Sequence, residues 1–263
     1  MYPFTYERPA SLDAAAQLAA AGGKLLAGGQ TLLASMKLRL SSPESLVDLG
    51  RIAQLAGIRR EGNAIVIGAM TCHADVAASA DVRAAIPALA HLASGIGDRQ
   101  VRARGTLGGS LANNDPAACY PSAVLALNAT IHTNTRTIAA DDFFTGMYGT
   151  ALADDELITA VSFPAAKRAA YAKFKQPASR FALVGVFVAQ TDAGVRVAVT
   201  GAAGCVFRHA GLEAALTKNF TSEAVAAVAI NANELNSDLH ASAAYRANLI
   251  RVQTQRAVAS ALA

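Results

Sequence analysis

Two glycine-rich segments carry the residues whose types and spacing suit the binding of an anion. The first is Gly28-Gly29-Gln30-Thr31, between a predicted strand and a predicted helix, and the second is Gly-Thr-Leu-Gly-Gly-Ser at residues 105–110. Backbone N–H groups at a strand-to-helix turn can face an anion, and glycine lets the backbone approach a ligand closely. Each segment alone also fits an ordinary turn. Together, with their Thr and Ser hydroxyls, they predict a cradle for a diphosphate.

The other polar residues do not form a second recognisable site. The nearest approach to a G-x-G-x-x-G fingerprint, at residues 95–100, lacks its last glycine and follows no predicted strand. Walker A and G-x-S-x-G sequences are absent. The five histidines lack H-x-x-x-H spacing, and the three cysteines are far apart without a C-x-x-C. The sequence therefore predicts no metal or iron–sulfur site in this chain and no catalytic constellation.

The elements that must position the first glycine segment alternate between helix and strand. Ser11 can cap a helix that ends at Gly22-Gly23, and a short strand at residues 24–27 leads into the glycines. A helix at residues 31–40 and a strand at 45–49 complete a β-loop-α-β pattern, which predicts a small parallel sheet.

The elements after residue 57 surround the second glycine segment. Two strands flank Glu61-Gly62-Asn63, which is read as a three-residue hairpin connection. Further predicted elements are helices at 72–78, 84–94 and 120–127 and strands at 130–133 and 157–163. Beyond a boundary at residues 164–168, strands at 170–176, 180–190 and 195–202 precede helices at 209–217, 222–231 and 241–262. Strands followed by helices predict a separate α+β unit.

Composition excludes several classes of protein. Of the 263 residues 53% are hydrophobic, which opposes disorder, and no apolar run approaches the roughly 20 residues that span a bilayer. The net charge is +4, and the densest basic cluster, at residues 99–104, has no interleaved aromatics, so nucleic acid is not expected as a partner. No apolar signal segment follows Met1, which predicts a cytoplasmic location. Only 16% of residues are charged, against about 25% in an average domain, so the surface is under-charged for a monomer.

The glycine segments, with their surroundings, resemble a known family. The string Ala-Gly-Gly-Gln-Thr-Leu-Leu at residues 27–33 resembles the first FAD diphosphate loop of the flavoprotein subunits of molybdenum hydroxylases, the xanthine dehydrogenase and carbon monoxide dehydrogenase family. Residues 100–116 resemble that family's second FAD loop. Supporting strings occur in the family's order and spacing at residues 46–49, 67–71, 155–159 and 174–181. The resemblance covers essentially the whole chain.

The resemblance implies an α+β fold in two parts. Residues 1–165 would form an FAD-binding domain of the vanillyl-alcohol oxidase and p-cresol methylhydroxylase type, made of two α/β subdomains at about 1–55 and 56–165. Residues 166–263 would form a small C-terminal domain with a three-stranded antiparallel sheet and helices.

The resemblance also implies which residues hold FAD. Ile96 and Ile158 would lie against the cofactor, Lys175 would contact it, and Phe181 would lie over the isoalloxazine ring, where offset stacking suits an aromatic side chain. The two glycine segments would hold the diphosphate through backbone N–H groups and hydroxyls; the residues concerned are Ala27, Gly28, Gly29, Gln30, Thr31, Leu32, Thr106, Gly108, Gly109 and Ser110.

One position departs from the family pattern. Where many relatives have an Asp near the flavin, in D-P-x-x-D-x-P, this chain has Cys119 after Asp115-Pro116. A thiol is a poorer hydrogen-bond acceptor than a carboxylate, so that contact to the cofactor is in doubt. Cys119 fits either a small buried hydrophobe or a redox-active thiol, and the sequence leaves both open.

The function implied by the resemblance is electron transfer in a heterotrimeric molybdenum hydroxylase. A large subunit would oxidise the substrate at a molybdopterin centre, and two 2Fe–2S clusters in a small subunit would pass the electrons to FAD in this chain. The external acceptor would be NAD⁺, a quinone, a cytochrome or O₂, and the complex would be a dimer of heterotrimers. Two alternatives remain at this stage: a stand-alone flavin oxidase of the same fold superfamily, and a non-catalytic scaffold that has lost flavin.

Overall fold

A three-stranded parallel sheet, here called the N-terminal sheet, holds the first fifty residues together. The computed structural model describes residues 1–263, and the strand order in this sheet is β1-β3-β2. As predicted, Ser11 caps the first helix, its hydroxyl accepting from the Ala14 N–H at 3.3 Å. The elements are β1 (Thr5–Glu7), α1 (Leu12–Ala20), β2 (Lys24–Leu26), α2 (Leu32–Lys37) and β3 (Ser45–Asp48). Residues 28–31 therefore join a strand to a helix.

A five-stranded antiparallel sheet, the middle sheet, follows in the order β4-β5-β10-β6-β7. Its strands are β4 (Ile58–Glu61), β5 (Ala64–Gly68), β6 (Thr130–Thr133), β7 (Thr137–Ala139) and β10 (Ile158–Pro164), with a separate small hairpin of β8 (Phe144–Gly146) and β9 (Gly149–Thr150). The three-residue connection expected at residues 61–63 is wrong, because Glu61 pairs with Ala64 and only two residues form the turn.

Six helices lie between β5 and β6, and a seventh, α9 (Ala140–Phe143), follows β7. The helix predicted at residues 84–94 is two helices, because Pro87 disfavours helical backbone at Ile86, which has φ −144° and ψ 69°. One helix begins at Arg99, shortly before the second glycine segment, and another begins at Leu107, inside it; neither was expected. Asp98 and Thr106 cap them. The six are α3 (His73–Ala78), α4 (Ala80–Ala85), α5 (Pro87–Ser94), α6 (Arg99–Arg104), α7 (Leu107–Asn113) and α8 (Tyr120–Ala126).

The C-terminal sheet has four antiparallel strands in the order β11-β12-β13-β14. The expected three-stranded sheet is therefore wrong by one strand, because Phe207 and Arg208 pair with Val199 and Ala198 of β13. A two-residue strand is too short to show a periodic pattern. The elements are β11 (Arg168–Lys175), β12 (Ala182–Thr191), β13 (Gly194–Thr200), β14 (Phe207–Arg208), α10 (Ala210–Lys218), α11 (Ser222–Ala226) and α12 (Ala243–Leu262).

The hydrophobic core is divided unequally among these parts. The largest cluster has 34 buried residues and includes side chains of both the middle and the C-terminal sheets, such as Phe163 and Phe187. A second cluster of 17 residues lies within the C-terminal part. The N-terminal sheet has clusters of only seven and three residues, and Leu157 belongs to the larger of these. None of the helices has the length and hydropathy needed to cross a bilayer.

Candidate functional site

The two glycine-rich segments, 77 positions apart in sequence, meet in the structure. A Cβ atom placed on Gly28 would lie 2.0 Å from the carbonyl oxygen of Arg104 and 2.8 Å from the Cα of Gly105. A Cβ on Gly109 would lie 3.3 Å from the Cβ of Ala27. Gly28 is therefore required for the close approach of the two backbones, a role independent of any ligand. The structure thus brings the two glycine-rich segments into contact.

The first segment presents a run of free backbone donors. The N–H groups of residues 28–32 donate no hydrogen bond within the chain, whereas Leu33 N–H donates to the Gly29 carbonyl at 3.2 Å. Gly29 has φ +72°, in the left-handed region that favours glycine, and so turns the chain into α2. Thr31 lies at the N-cap of α2 without forming a capping bond. Its hydroxyl and these donors are available to an anion.

The donors of the second segment are already used within the chain. Gly108 N–H donates to the Ala69 carbonyl at 2.8 Å, and Gly109 N–H donates to the Thr106 hydroxyl at 3.1 Å. Ser110 N–H donates to the Thr106 carbonyl at 3.1 Å, as in a regular first helical turn. This segment therefore offers the half-buried Ser110 side chain and a rigid wall, but few backbone donors.

A cleft of about 260 Å³ opens beside the first segment, between the N-terminal sheet and Arg104. Tyr6 and Asp48 line it, and the Tyr6 hydroxyl donates to the Asp48 carboxylate. Burial raises the pKa of Asp48, but hydrogen bonds from Tyr6 and from Gly50 N–H outweigh it and hold the pKa below its usual value. Arg8 lies 3.2 Å from the same carboxylate, so Asp48 is ionised at neutral pH and forms an ion pair with Arg8.

His73, a residue outside the predicted site, supports the second segment. Its backbone N–H donates to the Gly105 carbonyl at 2.9 Å, and its side chain is buried. Burial, and then the charge of Arg102, lower the pKa of His73 to about 4, so the ring is neutral at pH 7. The packing of the His73 ring against Gly105, which lies 32 residues later in the chain, could not be predicted from the sequence.

A second group of polar residues surrounds one predicted residue, Cys119, which is buried. The Nζ atom of Lys173, on β11, lies 3.4 Å from the Cys119 sulfur and 3.0 Å from the Gly95 carbonyl oxygen. Tyr171, two residues earlier on the same face of β11, has a buried hydroxyl with no hydrogen-bond partner. Burial and the neighbouring Cys119 raise the pKa of Tyr171. Neither Tyr171 nor Lys173 was singled out from the sequence, although their i, i+2 spacing on a strand was a usable signal.

The other four predicted residues lie in separate parts of the fold. Ile96, half-buried, follows Gly95 in the turn after α5, and Ile158 is buried at the start of β10. Lys175 is exposed at the end of β11 and pairs with Ala182, next to Phe181. Phe181 packs edge-on against His240, with ring centroids 5.5 Å apart. No group of three or more His, Cys, Asp and Glu side chains is arranged to hold a metal ion.

The α+β fold, the paired glycine segments and the free donors of residues 28–32 define a protein that binds an extended anionic cofactor. Comparison with known proteins identifies the family to which the chain belongs. A family model described as "FAD binding domain in molybdopterin dehydrogenase" matches residues 2–166, more than half of the chain. The chain belongs to this family of FAD-binding oxidoreductase subunits.

The relatives and solved structures agree with this assignment. The carbon monoxide dehydrogenase medium chain of Hydrogenophaga pseudoflava is 38% identical, over 99% of this chain and 97% of that protein. The nicotine 6-hydroxylase medium subunit of Paenarthrobacter nicotinovorans is 36% identical, over 97% and 96%. The solved structure of carbon monoxide dehydrogenase from Hydrogenophaga pseudoflava, in a form lacking the Mo-pyranopterin moiety, matches with a TM-score of 0.91 and 38% identity, covering 100% of this chain and 99% of that one.

Proposed function

We propose that this chain is the FAD-carrying electron-transfer subunit of a heterotrimeric molybdopterin-dependent dehydrogenase or hydroxylase. The observation that carries the proposal is the run of free backbone N–H groups at residues 28–32, held against the second glycine segment through Gly28. Such a run suits the diphosphate of FAD, because each donor can reach a phosphate oxygen without displacing an internal bond. The relatives named above are medium chains or subunits of such enzymes.

The residues of the chain would contact FAD at its diphosphate and around its ring system. Gly28, Gly29, Gln30, Thr31 and Leu32 would donate to the diphosphate, with Ala27, Thr106, Gly108, Gly109 and Ser110 forming the wall behind it. Ile96 and Ile158 would exclude water from the ring system, and Lys175 and Phe181 would close its outer side. Cys119 would lie beside the ring as a buried thiol. FAD, when bound, supplies the capacity to accept and release two electrons, and the chain positions and tunes it.

The partners follow from the same proposal. A large subunit would hold the molybdopterin, and a small subunit would hold two 2Fe–2S clusters that deliver electrons to this chain. An external acceptor would remove them, and the complex would be a dimer of heterotrimers in the cytoplasm. The low charged fraction of 16% supports a chain whose surface is partly covered by partner subunits.

The finer division of the fold also belongs to this proposal. We place the FAD-binding domain, of the vanillyl-alcohol oxidase and p-cresol methylhydroxylase type, at residues 1–165, with subdomains at about 1–55 and 56–165. The C-terminal domain would then be residues 166–263. The separate N-terminal and middle sheets support the two subdomains, and the change of sheet after Pro164 supports the boundary.

Native co-purification with cofactor and metal analysis tests the proposed function. We expect this chain to copurify with two partner chains, with one FAD per chain released on denaturation and with Mo and Fe in the complex. Substrate turnover by this chain alone would instead support a stand-alone flavin oxidase. A complex without flavin would support a non-catalytic scaffold, and either result would refute the proposal.

A further inference from the structure

Lys173 joins two backbone segments that the proposed function places beside the flavin ring. Its Nζ atom lies 3.0 Å from the carbonyl oxygen of Gly95, which precedes Ile96, and 3.4 Å from the sulfur of Cys119. The two segments are 24 positions apart in sequence, and Lys173 reaches both from β11 of the C-terminal sheet. A single side chain therefore contacts both segments.

The charge of this ammonium group has no counter-ion. The ion pairs of the chain are formed by other Lys and Arg residues, and the two contacts of Lys173 are with a carbonyl oxygen and a cysteine sulfur, not with a carboxylate. The side chain is half-buried, and beside it the hydroxyl of Tyr171 is buried without a partner. A half-buried cation that has no carboxylate partner stabilises a negative charge on a group bound beside it.

The loop that carries Cys119 is held firmly in this position. The hydroxyl of Thr200, on β13, donates to the carbonyl oxygens of Pro116 at 2.9 Å and Ala118 at 2.6 Å, and Gly201 N–H donates to Pro116 at 2.8 Å. These bonds tie residues 116–119 to the C-terminal sheet independently of Lys173. Removing the Lys173 charge should therefore leave Cys119 in place.

We propose that the positive charge of Lys173, which is paired with no carboxylate of the chain, favours the reduced form of the flavin, and that a carboxylate in place of Cys119 would remove this effect. Uptake of two electrons and one proton leaves the isoalloxazine ring with one negative charge. The iron–sulfur partner supplies the electrons in the complex. A carboxylate at position 119, in place of the sulfur that lies 3.4 Å from the ammonium group, would give Lys173 a counter-ion. The inference rests on the proposed function, because it requires FAD at this site.

The midpoint potential of FAD in the purified complex tests the inference, with dithionite as the electron donor and visible absorbance as the readout. We expect Lys173→Met to weaken the preference for reduced over oxidised FAD about tenfold, which is about 30 mV downward for a two-electron couple. Lys173→Arg should keep most of the wild-type potential. Cys119→Asp should lower the potential in the same direction, and Lys173→Met should have little further effect in a Cys119→Asp background. Lys218→Met, at an exposed position on α10, is the matched control.

The outcomes separate the inference from the proposed function. A wild-type complex without FAD refutes the proposed function and the inference with it. FAD present at an unchanged potential in both Lys173→Met and Cys119→Asp refutes the inference alone. Equal loss of FAD from Lys173→Met and Lys173→Arg, with an unchanged potential in the FAD that remains, shows that Lys173 acts only as a structural clamp. If Lys173→Met does not fold, the potential of Cys119→Asp decides the matter.

Discussion

At the scale of single residues, Gly28 and the neighbouring Thr31 do different things although they belong to one motif. Gly28 makes room for another backbone, since Arg104 lies where its Cβ would be. Thr31 presents a hydroxyl that has no internal task. The sequence showed both as parts of one anion-binding loop, because spacing cannot distinguish a residue needed for packing from one needed for a ligand.

We expect Gly28→Ala to disrupt the contact between the two glycine segments. The added Cβ would meet the Arg104 carbonyl at 2.0 Å, and backbone cannot yield as a flexible side chain does. The two segments must separate, which should cost about 1–3 kcal/mol of unfolding free energy and most of the bound FAD. Urea unfolding and FAD content measure the two effects. Gly204→Ala is the control, because its Cβ would meet only the Met147 side chain at 3.5 Å. Normal FAD content in Gly28→Ala would contradict the assigned role.

His73 should make stability depend on pH. Its pKa is about 4 in the folded chain and about 6.5 when unfolded, so between these values the unfolded state binds the extra proton. The stabilisation is therefore complete above pH 6.5 and is lost as the pH falls towards 4, by roughly 3 kcal/mol. Chemical unfolding at several pH values, with His73→Gln for comparison, measures the difference. Parallel pH profiles for the two proteins would show that His73 does not contribute.

At the scale of elements, the sequence predicted the long periodic segments well and the short capped ones poorly. The strands at β5, β6 and β10 and the helix at α12 have clear hydrophobic patterns, and the structure has elements there. Helices α6 and α7 were missed because they are only six and seven residues long and α7 contains two glycines, and their capping residues Asp98 and Thr106 define them instead. Strand β14 was missed because two residues show no period.

The candidate site was predictable only in part, for a related reason. Both glycine segments were visible in the sequence, and the structure places them in contact. The role of Lys173 was not visible, since it depends on a contact between β11 and turns 54 and 78 positions earlier. Contacts of this kind follow from the packing of sheets and leave no local pattern.

The N-cap threonines of α2 and α7 allow a matched test. Thr106 caps α7 through a bond to Gly109 N–H, so Thr106→Val should cost about 1 kcal/mol of unfolding free energy. Thr31 forms no such bond, so Thr31→Val should leave the stability of the apoprotein unchanged. It should instead weaken FAD binding about tenfold, as expected when a hydrogen bond to a charged oxygen is lost. Equal effects of the two substitutions on stability would contradict this division.

At the scale of the whole molecule, the middle and C-terminal sheets share one core. Tyr171, Phe187 and Ala198 of the C-terminal sheet belong to the same cluster of 34 residues as Ile65 and Phe163 of the middle sheet. The proposed boundary at residue 165 therefore separates two sheets but divides the largest core cluster. A change of sheet in the sequence does not define a unit that folds by itself.

We expect these two parts to unfold together. Calorimetry of the full chain should show one transition for them, with calorimetric and van't Hoff enthalpies in agreement. Residues 1–165 produced alone should lack stable tertiary structure, because buried partners such as Phe187 would be missing. Near-UV circular dichroism of the Tyr and Phe side chains follows tertiary structure in both samples, since the chain has no Trp. Two separate transitions for the middle and C-terminal parts would refute the expectation.

The small core of the N-terminal sheet has a consequence for the order of events during synthesis. Its seven-residue cluster includes Leu157, and its glycine segment packs on Arg104. The first fifty residues leave the ribosome first, yet the side chains that complete their packing are made about a hundred residues later. The packing of these residues should therefore stay incomplete, and open to chaperones and proteases, until Leu157 has emerged from the ribosome.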